Sequence, residues 1–236
     1  KNPSLKKTLE SWEGKNFKQI IILPLFPHYA SATNGSVIEE AMDVIKKWWV
    51  IPELSFVSQF YNEEFYLKGF EEKGNAHDFK EYDHILFSFH GLPERHVDKV
   101  YKDGLCKDND CEHGINDENV FCYKATCYET AIQLAKRFKL KEEDYTVGFQ
   151  SRLGRGWIEP FSDEIIVDLA KKGAKKLLVF SPAFVADCLE TIIEIGDEYQ
   201  ELFEEHGGEK VQLVESLNSS DTFVHGLKEM ILKRSL

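Results

Sequence analysis

Two kinds of segment alternate regularly along this chain, and this alternation limits the folds that the chain can adopt. Short apolar runs such as IIILPL and HILFSF are each followed by a segment with helical spacing of its apolar residues, such as SVIEEAMDVIKKWW. Strands that alternate with helices favour parallel sheets, because a parallel strand can be reached only through a crossover connection. We therefore expect an α/β fold in which parallel sheets are covered by helices on both faces.

Composition excludes several classes of function. The chain has 236 residues and a net charge of −12, so a nucleic-acid partner is not expected, because phosphate binding needs a basic surface. No apolar run is long enough to span a bilayer, and at most a loose peripheral contact with membranes is expected. The first residues lack the layout of a signal peptide, which predicts a cytoplasmic protein. The chain does not begin with Met, which suggests a piece of a longer protein.

Unusual polar residues collect directly after four of the predicted strands. The following segments read FPHYASATNGS, HGLPERH, QSRLGRGWIEP and AFVADCLETIIEIGDEY. In open parallel sheets a ligand binds in the crevice outside the carboxyl ends of the strands. His90 ends one of these strands, where it is either a hydrogen-bonded structural residue or a neutral imidazole that accepts a proton or binds a metal.

A row of carboxylates lies in the last of these segments. Asp187, Glu190, Glu194 and Asp197 are spaced 3, 4 and 3 residues apart, which predicts that they share one face of a helix. A generic acidic helix presents such a face to solvent. Because this helix begins at a strand end, the row is also a candidate path for divalent cations, which carboxylate oxygens bind.

Four motifs, in order, resemble those of the ferrochelatase family. They are FPHYASATNGS, FSFHGLPERH, FQSRLGRGWIEP and SPAFVADCLETIIEIGDEY, and the resemblance runs from about Phe17 to Asn218. It implies two Rossmann-like lobes with a porphyrin in the cleft between them. It also implies a lyase of heme biosynthesis that inserts Fe²⁺, as substrate, into protoporphyrin IX or coproporphyrin III.

The resemblance also divides the chain. Residues 1–50 would be the remnant of an N-terminal Rossmann-like lobe that lacks most of its first part. Residues 51–218 would form the C-terminal Rossmann-like lobe, interrupted by a cysteine-rich insertion at about 97–127. Residues 219–236 would form a C-terminal helix that packs back on the first lobe.

Site residues follow from the same resemblance. It implies that His90 and Glu190 are the catalytic pair, and that both bind the metal together with Glu194 and Asp197. Candidate contacts to the porphyrin are Tyr29, Ser31, Thr33, Arg152, Arg155, Trp157 and Phe184. Simpler interpretations exist for four of these residues. Trp157 could anchor a loop, Arg155 could be a surface residue, and Ser31 and Thr33 could cap a helix.

Four of the five cysteines, Cys106, Cys111, Cys122 and Cys127, form the pattern C-x4-C-x10-C-x4-C. Four cysteines suit either a 2Fe–2S cluster or a tetrahedral zinc ion, and the spacing alone leaves both open. Some bacterial ferrochelatases, which this chain resembles, hold a 2Fe–2S cluster in an internal insertion, so the cluster is the expected cofactor and zinc the alternative. Four thiols without a metal are the simplest interpretation.

Two other functions compete with iron insertion. A cobalt chelatase acting on an earlier tetrapyrrole would share the fold, but such enzymes usually carry a second metal-binding histidine where this chain has Cys188. A non-catalytic iron–sulfur or metal-binding module is the other alternative. The expected partners are a porphyrin and ferrous iron, and the sequence leaves the oligomeric state open.

Overall fold

A small parallel sheet forms the N-terminal part of the protein in the computed structural model, which describes residues 2–236. Strand β1 (Gln19–Ile22) pairs with β2 (Glu53–Phe56), and Gln19 lies opposite Glu53. Helices α1 (Leu5–Glu10) and α2 (Ser36–Ile45) cover this pair. The apolar side chains that they enclose form a separate small core around the strands: Leu9, Ile20, Ile22, Ala41, Val44, Ile45 and Trp48.

A larger parallel sheet carries the rest of the chain. Its strands are β3 (His84–His90), β4 (Tyr145–Gln150), β5 (Lys176–Phe180) and β6 (Lys210–Leu213), in the order β4-β3-β5-β6. All three pairings between neighbouring strands of this sheet are parallel. The prediction of an α/β fold with parallel sheets and flanking helices is confirmed.

Helices connect the strands and cover both faces of the larger sheet. They are α3 (Glu64–Gly74), α4 (Glu94–Asp98), α5 (Tyr123–Phe138), α6 (Ser162–Lys171), α7 (Leu189–Ile192), α8 (Tyr199–Glu205) and α9 (Asp221–Leu232). Single π-helical turns lie at Ser31–Gly35 and Glu194–Glu198. No helix within residues 2–236 is long and apolar enough to cross a bilayer.

Strand β3 explains why both faces of the sheet are covered. Ile85 and Phe87 pack into the main core, whereas Leu86 between them packs into a second core on the opposite face, as the two-residue period of a strand requires. The rings of Phe87 and Phe180 lie 5.2 Å apart in the main core. Burial of each such side chain stabilises the fold by about 1.5–3 kcal/mol, so neither face can be left exposed to water.

The order of the strands decides where a crevice opens. From β3 the chain passes to β4 on one side, crosses back to β5 on the other side of β3, and continues outward to β6, so the connections that leave β3 and β5 run in opposite directions. Such a switch point leaves a gap between the loops at the carboxyl ends of the strands, where ligands bind in open α/β sheets. His90 is the last residue of β3 and therefore stands at this gap.

The C-terminal helix returns toward the N-terminal sheet. Helix α9 packs against α3, and Gly226 allows the close approach, because a Cβ there would lie 2.0 Å from the ring of Phe65. Beyond the helix, the carbonyl of Arg234 accepts a hydrogen bond of 2.6 Å from the side chain of Gln19 in β1. The last residues of the chain therefore contact the smaller sheet.

Candidate active site

A cavity of about 580 Å³ opens at the carboxyl ends of the strands. One wall comes from the segment after β1, another from the end of β3, and a third from the segment after β5. Most of its lining is apolar. The side chains with polar or ionisable groups among its lining residues are His28, Thr33, His90, Tyr123, Cys188 and Glu190. A large apolar space with a few converging polar groups is the usual form of a small-molecule site.

The ring of His90 has a defined tautomer. Its Nδ1 lies 2.7 Å from the carbonyl oxygen of Gly91. Because a carbonyl oxygen can only accept, Nδ1 must carry the proton, which leaves the lone pair of Nε2 free to bind a proton or a metal. The ring centre of Phe184 lies 6.0 Å from that of His90, at a tilt of 49°. The predicted catalytic histidine thus lies in the cavity beside a predicted porphyrin contact.

Glu190 lies on another wall of the cavity, on the short helix α7. Its backbone carbonyl accepts a hydrogen bond of 2.8 Å from the side chain of Gln150, which ties the helix to the end of β4. The thiol of Cys188 shares this wall, and burial, together with a hydrogen bond to the Glu190 carboxylate, raises the pKa of Cys188. The predicted pair His90 and Glu190 therefore lines one cavity, with an uncharged thiol beside the carboxylate.

Glu194 is held by the end of β4. Its carboxylate accepts hydrogen bonds from the Ser151 amide at 2.7 Å and from the Ser151 hydroxyl at 2.5 Å. The Tyr199 hydroxyl and the Gln150 side chain each donate a further hydrogen bond to it, both at 3.3 Å. Ser151 has a φ of +61°, in the left-handed region that L residues rarely adopt. Strained residues of this kind cluster at functional sites, where the surrounding structure maintains them.

The prediction that four carboxylates share one helical face is wrong. Asp187 precedes α7 and accepts hydrogen bonds from the Ser216 amide and the Asn218 side chain. Helix α7 is followed directly by the π-helical turn Glu194–Glu198, whose wider turn changes the direction in which successive side chains point. Glu194 consequently faces β4, whereas Asp197 is exposed.

His28 is a lining residue that the sequence did not mark as a site residue. It is 2% exposed, and its Nε2 lies 2.9 Å from the hydroxyl oxygen of Thr130. The rings of four aromatic residues surround it: Tyr61, Tyr66, Phe89 and Tyr123. Burial lowers the pKa of His28 to about 3, so the ring is neutral at pH 7.

The predicted porphyrin contacts divide into groups. Phe184 and Thr33 line the main cavity. Tyr29 and Ser31 line a neighbouring cavity of about 370 Å³, which also contains Lys99. The two cavities share Ala30, Ala32, Leu92 and Tyr123 as lining residues, so they adjoin each other.

Three further candidates lie outside both cavities. Trp157 packs beside the active-site strand, where a Cβ added to Gly91 would lie 3.3 Å from its ring. Arg152 pairs with Asp163 at 2.7 Å and with Glu164 at 2.8 Å, and thus contacts helix α6. Arg155 is exposed. Phe184 and Thr33 therefore line the same cavity as His90, whereas Arg152 is ion-paired to helix α6 outside it.

The cysteine segment assembles three of its four predicted ligands. The sulfur atoms of Cys106, Cys111 and Cys122 lie within 4.8 Å of one another and all three residues are buried. Cys127 does not belong to this group. It is fully buried in helix α5, where burial raises the pKa of its thiol well above the usual value. Hydrogen bonds from the Cys106 and Cys111 thiols lower the pKa of Cys122, which favours its thiolate.

Two polar residues at the end of β4 organise the site without having been predicted. Gln150 accepts a hydrogen bond from Ser88 and donates one to the Glu190 carbonyl, and Ser151 binds Glu194. The signal for them in the sequence is their position, because a buried apolar run ends directly before Gln150 and Ser151. Because ligands bind in the crevice outside the carboxyl ends of parallel strands, a polar residue of any type at a strand end is a candidate site residue.

Comparison with known proteins identifies the family to which the sequence is similar. The family model described as ferrochelatase matches residues 1–235. The ferrochelatase of Ectopseudomonas mendocina is 42% identical over 229 residues, which cover 96% of this chain and 67% of that protein. The ferrochelatase of Legionella pneumophila (strain Lens) is 40% identical over 230 residues, which cover 97% of this chain and 68% of the relative.

Solved structures of other chelatases share the fold. SirB from Bacillus subtilis with Fe³⁺ superposes with a TM-score of 0.65 at 13% sequence identity, over 99% of this chain and 78% of that chain. CbiX, described as the terminal enzyme for biosynthesis of siroheme in denitrifying bacteria, gives a TM-score of 0.53 at 13% identity, over 94% of this chain and 78% of that chain. At such low identity the likeness supports the fold alone.

Proposed function

Because the chain belongs to the ferrochelatase family, we propose that its cleft is where Fe²⁺ is inserted into a porphyrin, with His90 and Glu190 as the central pair. The observation that carries this assignment of residues is that His90 and Glu190 line one large, mainly apolar cavity from different walls. Porphyrin and ferrous iron are the partners of the family's reaction, and the reaction belongs to heme biosynthesis.

His90 acts as the proton acceptor or as a ligand to the entering iron. Insertion removes two protons from the pyrrole nitrogens, so a group with a free lone pair must face the ring. The Nε2 atom of His90 meets this requirement, because Nδ1 is held as a donor by the Gly91 carbonyl. A positioned base of this kind contributes about 10²–10⁴-fold to a rate.

The carboxylates complete the metal route. Glu190 faces the cavity and takes either a proton or the metal, and Glu194 and Asp197 form the approach behind it. Carboxylate oxygens bind divalent cations, and the hydrogen bonds from Ser151 hold the Glu194 carboxylate in one orientation. Asp197 is exposed and would meet the ion first.

The apolar lining holds the macrocycle. Phe184 and Thr33 contact the ring or its edge in the main cavity, and Trp157 supports the strand end behind His90. Tyr29 and Ser31 lie in the adjoining cavity, where hydroxyl groups suit the carboxylates of the porphyrin side chains. Arg152 and Arg155 are weaker candidates, since Arg152 is ion-paired to α6. Protoporphyrin IX and coproporphyrin III both remain candidate substrates.

A thiolate-bound metal group in the insertion is part of this proposal. The three thiols of Cys106, Cys111 and Cys122 support metal binding. The fourth predicted ligand of the 2Fe–2S cluster, Cys127, lies apart from them, which weighs against that cluster. The reaction class of a lyase and a cytoplasmic location, both expected from the sequence, are also parts of the proposal.

An anaerobic insertion assay tests the assignment. Purified protein is offered Fe²⁺ with protoporphyrin IX or coproporphyrin III, and metalation is followed by the change in porphyrin absorbance. We expect turnover of one porphyrin that falls at least 100-fold in His90→Ala, while porphyrin binding persists. His84→Gln is the matched control, because His84 lies at the other end of the same strand and contacts Thr146.

Two results would contradict the proposal. If the folded protein turns over neither porphyrin, the result would favour a cobalt chelatase or a non-catalytic metal-binding module. Full turnover in His90→Ala would keep the reaction but remove His90 from it.

A further inference from the structure

Three sulfur atoms in the insertion form a nearly equilateral triangle. The Sγ of Cys106 lies 3.8 Å from that of Cys111 and 3.7 Å from that of Cys122, and the remaining side, between Cys111 and Cys122, is 3.7 Å. Tetrahedral zinc sites have Zn–S bonds of about 2.3 Å, so two thiolates on one ion lie about 3.8 Å apart. The triangle matches three corners of a single tetrahedron.

The same triangle does not fit a 2Fe–2S cluster. Such a cluster takes four cysteines, two on each iron, and bridging sulfides fill the other two corners of each iron. Only two cysteines can therefore share one metal's tetrahedron. Here each of the three thiols lies at this short distance from the other two, and Cys127 is not among them. The ligand count and the distances both disagree with the predicted cluster.

The surrounding chain is arranged to support ionised sulfur at this point. Cys122 is the residue directly before helix α5, a helix of 16 residues, and the N-terminus of a helix favours a negative charge. The hydroxyl of Tyr101 lies 2.9 Å from the sulfur of Cys111 and can donate to a thiolate there. Hydrogen bonds from outer residues of this kind orient metal ligands.

We propose that Cys106, Cys111 and Cys122 bind one tetrahedrally coordinated, thiophilic divalent ion such as Zn²⁺, and that Cys127 is not a ligand. Three protein ligands leave one corner for an external donor such as water. Tyr101 is a positioning residue that holds Cys111. The ion would fix the start of α5, where Tyr123 follows Cys122 directly and binds the backbone of His90. The site thus stabilises the active-site strand end without taking part in iron insertion.

Metal and sulfide analysis of the whole protein tests this inference independently of activity. Protein purified without oxygen is assayed for zinc, iron and acid-labile sulfide. We expect about one tightly bound metal ion per chain and no sulfide. X-ray absorption at the metal edge should give three sulfur neighbours and one lighter neighbour. Two irons with two sulfides per chain, four sulfur neighbours, or no retained metal would each overturn the proposal.

Single substitutions identify the ligands. Metal is removed with a chelator, and Co²⁺ is then titrated while sulfur-to-cobalt charge-transfer absorbance is recorded. Cys106→Ser, Cys111→Ser and Cys122→Ser should each weaken Co²⁺ binding at least 10-fold, whereas Cys127→Ala should bind Co²⁺ as the wild type does. Loss of the signal in a folded Cys127→Ala protein would contradict the proposal. If Cys127→Ala does not fold, the count of sulfur neighbours in the wild type decides.

Discussion

The hydroxyl of Tyr123 donates a hydrogen bond of 2.8 Å to the backbone carbonyl of His90. Tyr123 begins helix α5, so this bond connects the helix that follows the cysteine segment to the end of the active-site strand. Burial raises the pKa of Tyr123 well above its ordinary value, which keeps the hydroxyl protonated as a donor. The backbone at the proposed catalytic histidine is therefore held by a residue outside its own strand.

Tyr123→Phe should lower kcat about 3- to 10-fold with little change in the KM for porphyrin. The substitution removes one neutral hydrogen bond, worth about 0.5–1.5 kcal/mol, and leaves the ring in place. Steady-state insertion kinetics measure the effect. Tyr145→Phe is the control, because Tyr145 begins β4 and packs against Phe87, far from the strand end. Equal losses in both variants would mean that the Tyr123 bond has no specific role.

Glu194→Gln should raise the KM for Fe²⁺ about 10-fold while the free energy of unfolding changes by less than about 1 kcal/mol. The amide can keep both contacts to Ser151, since its oxygen accepts from the backbone N–H and its nitrogen donates to the hydroxyl. The variant therefore removes the charge and the 3.3 Å hydrogen bond from the Gln150 side chain, while both contacts to Ser151 are kept. Glu198→Gln, an exposed position on the same π-helical turn, is the control. An unchanged KM would give Glu194 a purely structural role.

The stability of the protein should fall with acid in a way that depends on His28. Its pKa is about 3 in the folded protein and about 6.5 in an unfolded chain, because burial disfavours the charged ring. Between these values the unfolded state binds a proton that the folded state does not. The free energy of unfolding then falls as pH falls from about 6.5 toward 3, by at most about 1.4 kcal/mol per pH unit from this residue.

Urea unfolding at pH 7, 6, 5 and 4 measures this dependence. His28→Gln cannot titrate and can still bond Thr130, so its stability should fall less steeply than that of the wild type. His225→Gln controls for loss of an exposed histidine and should follow the wild-type curve. Parallel curves for the wild type and His28→Gln would refute the assignment of the acid sensitivity to His28.

Arg152→Ala should leave the KM for porphyrin unchanged, whereas Phe184→Ala should raise it at least 10-fold. The guanidinium of Arg152 forms ion pairs with two carboxylates of α6 and lies over the Phe161 ring, 4.0 Å from its centre. Phe184 lines the cavity beside His90. Exposed ion pairs contribute at most about 1 kcal/mol, so Arg152→Ala should remain folded. A raised KM in Arg152→Ala would identify it as a substrate contact after all.

Structural features that depend on residues close together in the chain could be predicted from the sequence. The alternation of apolar runs and helical segments predicted the parallel sheets. A strand buried on both faces is a short continuous apolar run, whereas a helix repeats its apolar residues every three or four positions. His90 could be located at a strand end for the same reason. Gln150 and Ser151 stood at an equivalent position and were overlooked, since neither residue type suggests catalysis by itself.

The carboxylate row illustrates what local spacing cannot predict. A regular helix would have aligned Glu190, Glu194 and Asp197, but a π-helical turn begins at Glu194. The turn coincides with hydrogen bonds from Ser151, a residue 43 positions earlier in the chain. Helical periodicity contains no information about such a distant partner.

The α/β class, the strand that ends in His90 and the cysteine-rich insertion could all be predicted from the amino-acid sequence. Each of these depends on residue type and spacing within a few turns of chain. Three other features became known only from the folded structure: Cys127 packs in the core apart from the other three thiols, Glu194 turns toward β4, and Arg152 pairs with α6. Those outcomes depend on hydrogen-bond directions and packing between residues that lie far apart in the chain and meet only when it folds.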